Sequence, residues 1–267
     1  QSTQEALNEL LKITPHFSEV VADIKKSVAL AIRGHEPLSI TPILLLGEPG
    51  VGKTFFAKSF AKLTGTSFEF ISMQSVTAGW ILGGASSQWK ESKPGRVAEA
   101  LTGGQVANPV IVVDEIDKAG NDPRYDPLGA LYNLFETETA STFQDEYLEV
   151  KIDASHILWI ATANSIKSIP DPILDRMNVY EIKMPDKVGL MAVAQNIYRS
   201  ILQQHPTWKF EPRPSDEVLD KLATVSPREM RKRLMAAFGN AAMDSRDVIT
   251  VKDLEIDDKS RKPKMGF

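Results

Sequence analysis

A chain of 267 residues, 42% apolar and 25% charged, is long enough for one large or two smaller buried cores and has the composition of an ordinary globular protein. No stretch approaches the roughly 18–20 apolar residues a membrane-spanning helix needs, so no membrane partner is expected. The absence of cysteine excludes disulfides and thiolate metal sites and fits a reducing, cytoplasmic location, while a net charge of −4 offers no general attraction to polyanions such as nucleic acid.

Residues 1–13 lack the basic-then-apolar pattern of a secretory signal, and the first residue is not Met, the expectation being a chain trimmed or cut from something longer. Two helices open the chain, the second with an apolar face of Val20, Val21, Ile24, Val28, Ala31 and Ile32 at helical spacing. Five runs then read as buried strands, being apolar throughout rather than alternating: 43–46, 68–71, 110–113, 158–161 and 179–182. Helical patterns separate most of them, which predicts a parallel sheet sandwiched by helices. Residues 143–152 break the rhythm, and Phe143, Tyr147, Leu148 and Val150 predict a short hairpin. Beyond Pro185 the pattern is wholly helical. Leu190, Val193, Ala194, Ile197, Tyr198 and Ile201 form one stripe, and 218–222 and 230–243 add further helices. The expected organisation is an α/β domain over 1–185, a smaller all-helical domain over 186–256 and a loose charged tail over 257–267.

Between the first predicted strand and the helix after it lie Gly47, Glu48, Pro49, Gly50, Val51, Gly52, Lys53 and Thr54. They match G-x-x-x-x-G-K-[ST] in the strand-to-helix context that motif requires. Glycines let backbone N–H groups and the helix N-terminus wrap a phosphate, Lys53 reaches the β- and γ-phosphates of ATP, and Thr54 holds Mg²⁺. The apolar run 110–113 ends in Asp114 and Glu115, at the C-terminal edge of a strand where open sheets bind ligands. There Asp114 serves the Mg²⁺ and Glu115 is placed to take a proton from an attacking water. Asp117 and Lys118 read as structural.

From Pro42 to about Pro185 these residues resemble the AAA+ ATPase module of Lon proteases, a P-loop NTPase fold with a helical lid. The stretches that carry the resemblance are 47–54, 93–97, 108–118, 141–150, 160–165, 169–170 and 174–177. The resemblance implies that Asn164 orients the water, that Arg176 is an arginine finger acting on the neighbouring subunit's nucleotide, and that Arg228 of the lid senses nucleotide, with Arg231 the alternative. A guanidinium supplied by a neighbour requires head-to-tail contacts, and the family implies a homo-oligomeric ring of six.

The resemblance also suggests what the motor pulls. Trp89 and Lys90 fall where Lon-like enzymes place a gripping pair on the central pore loop, with Lys90 departing from the usual apolar residue; Tyr125 is a second candidate. The expected load is therefore a protein to be unfolded or remodelled. The alternatives are a MoxR-like remodelling ATPase, whose P-loops also often carry Glu at the position of Glu48, a DNA-remodelling ATPase, and an adaptor that binds ATP as a switch. An acidic hairpin tip over Gln144, Asp145 and Glu146 argues against DNA. With too few residues after Leu254 for a peptidase, none is expected in this chain; Met265–Phe267 is a candidate dock for a separate protease or adaptor.

Overall fold

The computed structural model describes residues 3–76, 79–86, 92–104, 106–120 and 126–254. The expected tail, its terminal Met265–Phe267, the pair Trp89 and Lys90, and Tyr125 lie outside the described residues. The chain divides into two compact units, one formed by the chain up to Pro49 with Lys53–Lys183, the other by Gly50–Gly52 with the chain from Met184.

In chain order the first unit contains α1 (Thr3–Ile13), α2 (Ser18–Gly34), β1 (Ile43–Leu46), α3 (Lys53–Thr64), β2 (Phe68–Ser72), α4 (Trp80–Gly83) and α5 (Arg96–Gly103). It continues with β3 (Val110–Asp114), α6 (Gly129–Leu134), α7 (Thr137–Ala140), β4 (Phe143–Gln144), β5 (Lys151–Ile152), β6 (Leu158–Ala163), α8 (Asp171–Leu174) and β7 (Asn178–Glu181). Five strands form one all-parallel sheet in the order β2-β3-β6-β1-β7, with Leu46 opposite Ala163 and Val113 opposite Ala161. All five fall on the predicted apolar runs.

Side chains alternate across a strand, and in the central strands β1, β3 and β6 both sets are buried, which is why those runs are apolar. The edge strands β2 and β7 depart from the expectation, carrying Glu69 and Glu181 with Phe70 and Val179 exposed, because an edge strand is covered less completely. Leu44, Ile111, Val113, Trp159 and Ala161 join one core with Leu82, Val97, Leu131 and Ile173. Ile43, Leu45, Val110, Val112 and Ile160 are equally buried on the opposite face. The predicted stripe of α2 needs one correction. Val20, Val21, Ile24 and Val28 are buried, but Ile32 is 61% exposed, because the helix runs past the core before ending at Gly34.

The predicted hairpin exists as β4 and β5, paired antiparallel with Phe143 opposite Ile152. Its acidic tip is a different matter. Asp145 is fully buried, and its two carboxylate oxygens accept three backbone N–H groups, from Gly95 (2.8 Å), Tyr147 (2.9 Å) and Leu148 (3.0 Å). It therefore ties the hairpin to the start of α5, and the exposed acids of the hairpin are Glu146 and Glu149.

The second unit holds α9 (Lys187–Gln204), α10 (Asp216–Leu222) and α11 (Pro227–Met243). Each begins on a side-chain cap: Asp186 accepts from Gly189 N, Ser215 from Val218 N and Ser226 from Glu229 N. Ser226 with Pro227 and Glu229 has the composition of a capping box with proline at the first helical position. Tyr198 is fully buried against Phe238, and its hydroxyl donates to the Glu211 carbonyl (2.6 Å). Trp208 and Phe210, from the α9–α10 connection, complete the aromatic cluster.

The end of this unit is held by Arg246, whose Nη2 and Nη1 reach Oδ1 and Oδ2 of buried Asp253 at 2.7 and 2.9 Å, while Thr250 donates its N–H and hydroxyl to Oδ2. The Arg246 guanidinium draws the Asp253 carboxyl down to about 2. A depressed carboxyl stabilises the fold above its unfolded value near 4, and that contribution fades as pH falls toward 2. Asp253→Asn is expected to lose about 2 kcal/mol of stability at pH 7. In urea titrations the gap from the parent should narrow as pH drops from about 4 to about 2. Asp145→Asn, which turns an NH₂ toward a buried N–H, is expected to cost about 2–3 kcal/mol in the same measurement.

Candidate nucleotide site

Three neighbouring strands of the sheet, β1, β6 and β3, run parallel, so their C-terminal ends open on one edge. The residues following them are the ones the motifs single out. After β1 the chain turns through 47–52 and enters α3 at Lys53. Gly50 (φ 87°) and Gly52 (φ 102°) occupy the left-handed region that a side chain disfavours.

Lys53 is only 8% exposed. Its Nζ donates to the carbonyls of Gly47 (2.5 Å) and Glu48 (3.1 Å) and to Asn164 Oδ1 (3.0 Å). Burial pushes its ammonium below the ordinary lysine value, against the opposing charges of Asp114, Asp117 and Glu115. A desolvated cation with only neutral acceptors gains by exchanging them for an anionic phosphate.

Asp114 closes β3, and its Oδ1 accepts two hydroxyls, from Thr54 (3.0 Å) in the first turn of α3 and from Thr162 (2.9 Å) on β6. The Glu115 backbone N–H donates to the same Thr162 oxygen (2.9 Å), and the Glu115 carboxylate accepts from the Gln74 side-chain amide. Glu115 itself is left-handed, with φ 53° and ψ 50°. Asn164 follows β6 and faces the loop from β1 through Lys53. Its backbone N–H, with that of Ser165, donates to buried Asp117 (both 3.3 Å), and Ser168 donates to the Asp117 carbonyl (2.6 Å). Asp117 thus anchors backbone, as its structural reading implied.

Lys53 with Asn164, and Thr54 and Thr162 with Asp114 and the Glu115 N–H, are accordingly two hydrogen-bonded groups that adjoin at the consecutive residues Lys53 and Thr54 and form one cluster. The hard oxygens of Thr54 and Asp114 at hydrogen-bond distance suit Mg²⁺. Among the described residues no group of three His, Asp or Glu could hold a metal.

Arg176 is not bonded to this cluster. It follows α8, where Nη1 donates to the Pro172 carbonyl (2.6 Å), Nη2 pairs with Glu136 (2.8 Å) and Nε is buried without a partner. Arg228 is exposed in the first turn of α11, while Arg231 donates to Gln204 (2.6 Å). Sequence reasoning overlooked Gln74 and Thr162. No motif marks Gln74, but Thr162 is the one polar residue in the wholly buried strand Leu158–Ala163, a signal that was available.

Residues 43–184 match the ATPase family associated with various cellular activities (AAA). Lon protease homolog 2, peroxisomal, of Oryza sativa subsp. indica is 40% identical over 179 residues, 66% of this chain and 20% of that protein. Lon protease 2 of Sorangium cellulosum is 42% identical over 153 residues, 56% of this chain and 19% of that protein. The chain spans about a fifth of the length of these curated relatives. Among solved structures, a mutant of Thermotoga maritima RuvB superposes with a TM-score of 0.61 at 16% identity, covering 88% of this chain and 67% of that one, a likeness that speaks for the fold alone. With the family match spanning more than half of its residues, the chain belongs to the AAA family and is an ATP-hydrolysing, Lon-like module.

Proposed function

We propose that the chain assembles head to tail into a homo-oligomeric ring, six-membered as the Lon resemblance implies, and couples ATP hydrolysis to unfolding or remodelling of protein substrates in the cytoplasm. The observation that carries this reading is the cluster of Lys53 bonded to Asn164 beside Thr54 bonded to Asp114 and Asp114 joined through Thr162 to Glu115, to which, among the described residues, no arginine is hydrogen-bonded. Within a chain the cluster supplies a cradle and a base. The transition-state guanidinium is then Arg176 of the adjacent protomer.

In this reading the amides of 47–52 and Lys53 hold the β- and γ-phosphates of ATP. Thr54 and Asp114 would hold Mg²⁺, which when bound would offset phosphate charge. Asn164 orients a water in line with the γ-phosphorus. As the water oxygen bonds to phosphorus, Glu115 takes its proton and the bond to the bridging oxygen breaks, releasing ADP. A guanidinium added at that point is worth ~10³–10⁵ in rate. Arg228 is assigned to sensing nucleotide from the lid. The half-exposed pair with Glu136 is worth ~0–1 kcal/mol, so it orients Arg176 without locking it.

A protein load is favoured by the likeness to Lon proteases over the ATPase region and by the exposed hairpin acids Glu146 and Glu149, which repel phosphate. A separate protease or adaptor remains part of this reading as a partner in trans.

Glu115→Gln is expected to bind ATP normally and turn it over ~10²–10⁴-fold more slowly, as loss of a general base implies. Lys53→Ala is expected to lose nucleotide affinity; steady-state turnover and binding of a fluorescent ATP analogue check both. Arg176→Ala rings should be inactive alone and regain turnover when mixed with Lys53→Ala subunits, since each supplies what the other's shared site lacks. Assembled mixed rings with no recovery would remove the trans role. Turnover that rises with an unfolded protein and not with duplex or branched DNA supports the protein load; the reverse refutes it.

A further inference from the structure

The backbone ladder between β3 and β6 pairs Val113 with Ala161 and goes no further. One residue on, a side chain takes its place. Thr162 is 1% exposed, and its hydroxyl does two things at once: it donates to Asp114 Oδ1 at 2.9 Å and accepts the Glu115 N–H at 2.9 Å. A hydroxyl has one proton and spare lone pairs, so this is a use of both capacities that no apolar side chain can imitate.

The two bonds constrain the two acids differently. Asp114 has its Oδ1 fixed between the hydroxyls of Thr162 and Thr54, which sets the plane of its carboxylate. Glu115 has its peptide N–H fixed. That matters because Glu115 lies at φ 53°, ψ 50°, a region sparsely populated by residues bearing a side chain and kept only where surroundings over-determine it. Pinning the N–H holds the peptide plane, and the peptide plane sets the direction in which the carboxylate leaves the backbone. On the far side the exposed Gln74 donates its side-chain amide to that carboxylate.

We infer that Thr162 is a positioning residue for ATP hydrolysis, a buried hydroxyl that locks the base Glu115 in its left-handed backbone and aligns Asp114 with it. The inference rests on the assignment of Glu115 as base. Thr162 is buried and acts through its bonds to Asp114 and the Glu115 N–H, so its loss acts on turnover while leaving the phosphate cradle of Lys53 and 47–52 in place.

The test compares Thr162→Val, which keeps shape and removes both bonds, with Thr162→Ser, which keeps the hydroxyl. Three quantities are read on the full chain: kcat for ATP, affinity for a fluorescent ATP analogue, and hydrogen exchange of the peptide containing the Glu115 amide. Thr162→Val is expected to lower kcat ~10–100-fold with affinity within about threefold, and to lose amide protection at Glu115; Thr162→Ser retains kcat within about threefold. Should Thr162→Val fold poorly, Thr162→Ala tests the same loss with the same readouts. Unchanged kcat in the folded variant, affinity falling as far as kcat, or no rescue by serine would each overturn the inference. Glu115→Gln measured alongside separates the two failures: slow Glu115→Gln with normal Thr162→Val sinks only the role of Thr162. Normal Glu115→Gln sinks the base assignment and this inference with it.

Discussion

The nucleotide edge depends on one constraint, the parallel alignment of β1, β6 and β3 with β6 in the middle. Parallel strands deliver their carboxyl ends to the same side, so residues far apart in sequence become neighbours there. Lys53 meets Asn164 because β1 lies beside β6, and Thr162 meets Asp114 because β6 lies beside β3. A one-residue slip of register would move Thr162 to the opposite face and separate the hydroxyl from both acids. The apolar burial of both sheet faces, from α3 and the opening helices on one side and the α5–α8 region on the other, is what makes such a slip costly.

Carboxylates in this chain divide by what surrounds them. Asp117 and Asp145 are buried and engaged with backbone N–H groups, the first anchoring the end of β6 and the second joining the hairpin to α5. Asp253 is buried against a guanidinium and serves the helical unit. Asp114 and Glu115 are half-buried at an open edge, accepting from hydroxyl and amide side chains. A buried acid held by three backbone donors, as Asp145 is, has no capacity for exchange, whereas an acid at an open edge can trade partners with water, metal or phosphate. That difference in surroundings, rather than acidity of the sequence as such, distinguishes the anchoring carboxylates from the pair at the strand edge.

Much of this was legible in the residues. The strands announced themselves because burial on both faces demands unbroken apolar runs, and the turn after β1 because close approach of backbone to phosphate demands glycine at fixed spacing. Asp114 and Glu115 followed from their place at a strand end. Local chemistry of that kind is written in contiguous residues. Counting Asp145 among the exposed acids of the hairpin tip went astray for the complementary reason: whether Asp145 faces solvent depends on Gly95, fifty positions away in sequence, while Glu146 stays exposed.

By itself, then, the sequence determined the P-loop, the acidic strand end, the α/β order and the helical C-terminal region, since each is carried by periodicity or a short motif. Only the tertiary structure decided the partners: that Thr162 bridges Asp114 and Glu115, that Gln74 holds the Glu115 carboxylate, and that Arg176 is paired with Glu136. These contacts cross between elements, and a hydrogen bond between distant segments leaves no spacing in the chain from which it could be read.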